Sequence, residues 1–210
     1  IPDIVPYIYK KEDMNVLTYI DDDGFLVEPE FYVPIIPMIL VNGSEGIGTG
    51  WSSNIPSFNP LEIIDNIKIM IENFKYEKDL KEGLIDLRPW YRGYTGTIEN
   101  LSENRYISRG RYNVIDEEIV EITELPIKVW TDKYKEFLES VIIDNHKESK
   151  GKKKEYIRSY TTQCTDNKIN FRLVFNPEDL ENFTSHLVEN NEGQNEFEKL
   201  FKLTSKISTT

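Results

Sequence analysis

Alanine does not occur in this 210-residue sequence, cysteine occurs once and histidine twice. The lone Cys164 excludes an internal disulfide and fits a reducing compartment. With only His146 and His186 beside it, no cluster has the spacing of zinc ligands, so no metal site is expected. No apolar run approaches the roughly 18 to 20 residues that a bilayer span needs, and no charged-then-apolar leader stands at Ile1. A soluble protein without a membrane partner is therefore expected. Positive charge is in deficit: 25 Lys and Arg against 37 Asp and Glu leave a formal net charge of −12. Polyanion binding gains free energy from Lys- and Arg-driven counterion release, so bulk electrostatics does not hold a nucleic acid here. Any such contact must be local.

What is present reads as an α+β fold, antiparallel or mixed sheets with flanking helices, in a length that allows one large or two small domains. Tyr19 to Gly24 is an acidic turn between apolar stretches, and it lacks the alternating acids of a calcium loop. From Glu28 to Asn42 runs EPEFYVPIIPMILVN, whose Pro29, Pro34 and Pro37 forbid a regular helix or a central strand; an extended, largely buried segment is expected. Asn59 as N-cap and Pro60 at the first helical position open a helix with Leu61, Ile64, Ile67 or Ile71 and Phe74 on one face. Trp90 to Leu125 reads as an antiparallel meander with a hairpin turn near Arg109-Gly110, and Thr131 caps a helix that turns Tyr134, Phe137 or Leu138, and Val141 or Ile142 to one side. Lys147 to Arg158 carries six basic residues against two glutamates, a local +4, and reads as a linker or loop. Ile169 to Phe175 has the two-residue period of a half-buried strand, Pro177 to Val188 reads as a helix, and Glu192 to Gln194 as a loop. The domain boundary is placed at residue 60, giving 1–60 and 61–210, with the two lobes meeting near the glycine-rich segment that follows Asn42.

That segment, GSEGIGTGWSSNIPSFNP from Gly43 to Pro60, invites a phosphate-cradle reading, which its spacing rejects. A dinucleotide loop starting at Gly46 and Gly48 needs a third glycine where Trp51 stands, and a triphosphate loop needs a lysine that does not follow Gly48. A loop whose glycines merely permit close packing is the plainer alternative. Ile47 speaks for something else, because a glycine-flanked tip presents a bulky apolar side chain outward, whereas a core would wall it in. Apolar wedges inserted between base steps kink duplex DNA, at roughly a few kcal/mol of unstacking per step. Ile47 is the candidate wedge.

The run EPEFYVPIIPMILVNGSEGIGTGWSSNIPSFNPLEII, Glu28 to Ile64, resembles the signature of the eukaryotic DNA topoisomerase II (type IIA) family. RPWYRGYTGTIE (Arg88 to Glu99), VEITELPIKVWTDKYKEFL (Val120 to Leu138) and FEKLFKLTSKISTT (Phe197 to Thr210) continue the match in the family's order. The likeness is weak before Asp13 and in the basic loop. It implies a piece of the DNA gate: the end of a winged-helix region with a DNA-bending loop over 1–60, then a tower region over 61–210. The enzyme it implies is nuclear, uses ATP and Mg²⁺, works as a homodimer on double-stranded DNA and cuts with a tyrosine preceded by an arginine. That pair is expected before Ile1, so no catalytic residue is assigned to these 210, and no cofactor. Arg105-Tyr106 looks like such a pair, but its place in the meander makes it a strand pair instead.

By position in the motif Ile47 corresponds to the family's intercalating isoleucine, and Lys202, Leu203, Thr204, Ser205, Lys206, Ile207, Ser208, Thr209 and Thr210 correspond to a DNA-contacting segment. Hydroxyls and lysines of that run suit sequence-independent phosphate contacts; a frayed polar terminus is the alternative. Asn42, Thr49, Ser52 and Ser53 are further phosphate-donor candidates, although such residues in a glycine loop often satisfy the backbone instead. Lys128 joins them, and Lys150, Lys152, Lys153 and Lys154 are weighed against a solvated surface loop. Trp51 and Trp90 are large enough to stack on bases, but burial is the expected fate of both. Two other function classes stay open: a stand-alone DNA-bending architectural protein, and an acidic protein-interaction module without DNA affinity.

Overall fold

A computed structural model describes residues 2–142, 156–165, 168–185 and 194–209. The lysine cluster at 150–154, most of the basic loop, Glu192, His146, His186 and Thr210 lie outside them. The chain divides into two compact units, Ile1–Pro89 and Trp90–Thr210. The division falls after the helix expected to open the second region, and each unit is described by itself.

In the first unit, α1 (Val5–Ile8) and a 3-10 turn (Lys11–Asn15) precede a hairpin of β1 (Tyr19–Asp22) and β2 (Phe25–Pro29). Asp23 and Gly24 take positive φ at its turn, and the Asp21 carboxylate accepts from Gly24 N at 2.7 Å. After Pro37 the chain makes a short helix, α2 (Met38–Asn42), then a second hairpin, β3 (Ser44–Ile47) and β4 (Ser52–Ile55), then α3 (Pro60–Lys75). The cap of α3 is as expected: Asn59 accepts from Leu61 N at 3.0 Å, with proline at the first turn.

The face of α3 is not. Of the expected residues Ile64 and Ile67 are half-buried but Leu61, Ile71 and Phe74 are exposed, while Ile63 and Asn73 are buried and Asn66 half-buried, so the inward stripe is rotated from the expected one. Two asparagines decide the rotation. Asn66 both donates to the Ile85 carbonyl (2.9 Å) and accepts from Ile85 N (2.7 Å), and Asn73 donates to the Glu82 carbonyl (2.8 Å). A hydrophobicity pattern scores asparagine as polar and so turns this stripe outward. The segment from Glu28 to Asn42 also departs from expectation: Phe31, Tyr32, Val33, Ile35 and Ile39 are exposed.

The second unit holds the main core. β5 (Thr97–Ser102), β6 (Arg105–Arg109), β7 (Arg111–Val114) and β8 (Ile119–Glu124) lead into α4 (Thr131–Ser140); β9 (Ser159–Thr162) and β10 (Phe171–Val174) follow, then α5 (Pro177–Ser185), α6 (Glu196–Leu200) and β11 (Thr204–Ser208). They form two antiparallel sheets of strand order β7-β8-β10-β9 and β11-β6-β5. Val120 and Ile122 of β8 stand opposite Leu173 and Phe171 of β10, and all four are buried with Phe175. Tyr134, Leu138 and Val141 of the α4 face pack on them, as do Leu180, Phe197, Phe201 and Leu203. Trp130, not Thr131, occupies the cap position of α4, and it makes no side-chain capping bond.

No hairpin turn lies at Arg109-Gly110. β6 and β7 belong to different sheets, and the reversals fall at Glu103-Asn104 and after Val114. Gly110 is where the chain crosses from one sheet to the other: a Cβ there would stand 2.4 Å from the Glu124 carbonyl oxygen. Glycine is needed for close approach, not for a turn.

Arg109 ties the β11-β6-β5 sheet to α6. It is 8 % exposed, and Nη1 bonds Glu198 Oε2 at 2.5 Å while Nε reaches Glu99 Oε2 at 3.3 Å. Glu198 also closes a capping box, accepting from Asn195 N (3.2 Å) while its own N donates to Asn195 Oδ1 (2.8 Å). Removing one partner of a buried pair strands the other charge. Arg109→Ala is therefore expected to cost about 3–5 kcal/mol in urea unfolding of the second unit. Glu99→Ala, whose carboxylate is half-exposed, is expected to cost about 1 kcal/mol or less.

Tyr134 donates to the Phe201 carbonyl at 2.9 Å, and burial pushes its phenol far above the ordinary 10. Burial likewise raises Tyr94 and Tyr112. Unfolded tyrosines ionise near 10 and these do not, so their contribution to stability is complete below pH 10 and is lost as pH rises above it. In alkaline titration a late step of tyrosinate absorbance should coincide with loss of near-UV circular dichroism. A single smooth rise centred at pH 10, with the fold intact, would contradict the assignment.

Candidate nucleic-acid interface

The β3–β4 hairpin carries the first group of candidates. Its ladder pairs Ser44 with Ile55, Glu45 with Asn54, Gly46 with Ser53 and Ile47 with Ser52, and Gly48 N donates to the Trp51 carbonyl at 2.8 Å to close the turn. Gly43 makes the entry possible. Its φ is +71°, and a Cβ would stand 2.6 Å from the Ile55 carbonyl oxygen, so the junction of α2 and β3 admits no side chain. Neighbouring side chains alternate between the faces of a ladder and cross-strand partners share one. Ile47 and Ser52 therefore lie on one face, and Ser53 on the other.

Ile47 is 93 % exposed, the last residue of β3 before the glycine turn. Asn42, Thr49, Ser52 and Ser53 are exposed too. Thr49 and Ser52 belong to the tip, whereas Asn42 lies at the base, about 10 Å away along a ladder of four residue pairs. Trp51 is not buried as expected but 86 % exposed; Trp90 is 40 % exposed.

In the second unit, β11 is an edge strand paired with β6 along its whole length, so the segment is not a frayed terminus up to Ser208. Two members drop out of any direct side-chain contact with a ligand: Leu203 is fully buried and Ile207 is 3 % exposed, because the two-residue period turns both into the core. Lys206 and Ser208 are exposed, and Thr204 and Ser205 half-buried. Thr204 Oγ1 accepts from Gln194 (2.6 Å), and Thr209 N donates to the Asn104 carbonyl (2.9 Å). Lys202 has φ +52° and sets its ammonium 4.2 Å from the centroid of the Phe137 ring. Lys128 is exposed at φ +70°.

Sequence reading missed Arg105 as a binding candidate. The β11–β6 register sets it opposite Ser208, on the face of Lys206 and Thr204, and it is exposed. Its strand character was legible. Its neighbours were not, since Arg105 and Ser208 stand about a hundred residues apart in sequence.

A family model for the A-subunit of DNA gyrase/topoisomerase IV matches residues 1–210. The chain belongs to that family. It is 41 % identical to DNA topoisomerase 2 of Plasmodium falciparum over 203 residues, covering 97 % of this chain and 13 % of that protein. It is 44 % identical to DNA topoisomerase 2 of Saccharomyces cerevisiae over 173 residues, 82 % of this chain and 11 % of that one. The solved structure of the Plasmodium falciparum topoisomerase II DNA-binding, cleavage and re-ligation domain superposes with a TM-score of 0.77 at 38 % identity, covering 97 % of this chain and 24 % of that chain. The chain thus spans about an eighth of the length of these curated relatives, and its α+β architecture is that of the corresponding part of the gyrase and topoisomerase fold.

Among the described residues no group of three His, Cys, Asp or Glu gathers to hold a metal ion, and no helix is long and apolar enough to cross a membrane. Gly43→Ala should loosen the hairpin, with hydrogen exchange at Ser44 to Ile55 accelerating by about tenfold or more, because the strained conformation costs roughly 1–3 kcal/mol. The tertiary signal of the second unit should not change.

Proposed function

We propose that this chain is the DNA-holding and DNA-bending part of a type IIA DNA topoisomerase, with Ile47 as the side chain that enters a base step. The observation that carries the reading is Ile47 itself: a large aliphatic residue 93 % exposed on a hairpin tip, in a chain of the gyrase and topoisomerase family. Such exposure has no folding benefit and suits a partner that buries it.

Magnitudes limit what the wedge does alone. Burying an isoleucine gains about 1.5–3 kcal/mol. Opening a base step costs roughly a few kcal/mol, so the two nearly cancel. Bending a site of 20–30 base pairs costs about 1–10 kcal/mol more, which must come from contacts along the protein. Asn42, Thr49, Ser52, Lys128, Lys202, Thr204, Ser205, Lys206, Ser208 and Thr209 supply hydroxyl, amide and ammonium donors of the kind that meet phosphates without reading sequence, and Arg105 adds a guanidinium. Thr210 belongs to the same run. With a net charge of −12, such local contacts are what the chain has to offer.

On this reading the full-length protein is a nuclear, homodimeric enzyme that uses ATP and Mg²⁺ to pass one duplex through another. Strand cleavage belongs to an arginine-tyrosine pair elsewhere in the polypeptide. Arg105-Tyr106 is read as a strand pair instead, a reading supported by the place of Tyr106 in β6 opposite Ile207. The residues given a role here hold and shape DNA; they move no proton and contact no metal.

Ile47→Ala in the full-length protein is expected to reduce bending, read as energy transfer between fluorophores on the two ends of a short duplex, and to slow cleavage, while thermal unfolding stays within about 1 kcal/mol of wild type, as for a surface residue. Undiminished bending by the folded variant would remove the wedge.

A further inference from the structure

We infer that Trp51 is a second apolar DNA contact of the same hairpin, packing against the sugar–phosphate wall beside the step that Ile47 opens. The inference rests on the DNA-bending reading and adds a residue to it. Among the described residues Ile47 and Trp51 are the two most exposed large apolar side chains, at 93 % and 86 %, and they sit four positions apart on one tip. Exposed apolar side chains grouped in this way mark an interaction site, whereas scattered ones do not.

The ladder decides how they share the work. Ile47 closes the ladder opposite Ser52, while Trp51 precedes Ser52 in the turn outside the ladder, so the two side chains leave the tip from different positions. The two side chains therefore do not enter the same base step. A duplex that takes Ile47 between its bases meets Trp51 with another surface, the deoxyribose edge that lines the groove. The Trp51 carbonyl accepts from Gly48 N at 2.8 Å, which sets where on the tip the indole leaves the backbone. An indole suits that place: it is flat, it has few rotamers to lose, and it presents a large apolar body with one N–H donor. It also answers the shortfall of the wedge, which covers the unstacking and leaves the bend to be offset.

The full-length protein tests this with a short duplex labelled at both ends and three variants, Trp51→Ala, Trp51→Phe and Ile47→Ala. Trp51→Ala should weaken duplex affinity by about tenfold or more, whereas Trp51→Phe, which keeps an aromatic body, should stay within about threefold of wild type. Ile47→Ala should act chiefly on the bend. Addition of duplex should change the indole emission of the wild type, and the wild type minus Trp51→Phe difference should carry that change even if Trp51→Ala fails to fold. Wild-type affinity in folded Trp51→Ala, or no DNA-dependent emission assignable to Trp51, overturns the inference. If bending is lost in Ile47→Ala at the same time, the wedge stands without its neighbour. If instead Ile47→Ala bends normally while Trp51 responds, the wedge fails and the contact stands.

Discussion

Arg109 carries a full charge at a position almost closed to water, and the arrangement around it follows from that constraint. A guanidinium so placed must have carboxylates within reach, and Glu198 and Glu99 supply them from α6 and β5. Glu198 meets this demand while capping the helix it stands on, so the ion pair and the start of α6 form or fail together. The chain continues from α6 through the buried Phe201 and Leu203 into β11, which pairs back onto the strand that carries Arg109. Gly110 N also donates to the Leu203 carbonyl at 2.9 Å, closing the same loop through the backbone. A polar contact thus fixes where the last strand lies, and with it which faces of Lys206 and Ser208 meet solvent.

The two units use apolar residues differently. In the second, aromatic rings pack edge to face, as with Phe175 and Phe201 at 5.4 Å between centroids, and few large apolar side chains among the described residues remain outside. In the first, Phe25, Leu26, Phe31, Tyr32, Ile35, Ile47, Trp51, Ile71 and Phe74 face outward and the sheets are two-stranded hairpins, an architecture with little stability of its own. The α3 stripe is held partly by asparagine bonds to the loop at 82–85 instead of by a dense core. The proposed wedge is consistent with such a surface, because a side chain offered to a partner cannot also be packed at home.

Several elements were legible because local chemistry decides them. Asn59-Pro60 announces a helix start wherever it stands, the alternation of Phe171 to Phe175 states a strand, and Asp23-Gly24 closes a turn. The glycines around Ile47 declare an outward tip by the same logic. Other features depend on partners distant in the chain. The inward face of α3 was misread in part because Asn66 and Asn73 bond the backbone at 85 and 82, and the turn expected at Arg109-Gly110 is a crossing because β6 finds β11 and β7 finds β8. Leu203, just before β11, and Ile207 within it look like part of one exposed polar run until the packing shows both side chains in the interior.

The order of residues alone therefore determined the family, the glycine-flanked tip that presents Ile47, the Asn59 cap of α3 and the shortage of positive charge, all of which rest on chemistry within a few residues or on composition. Only the tertiary structure decided that Trp51 is exposed, that Arg105 shares a face with Ser208, and that Leu203 and Ile207 of the final segment are core. Those outcomes turn on hydrogen-bonded pairing and burial between segments up to a hundred residues apart, and no local pattern encodes which pairing wins.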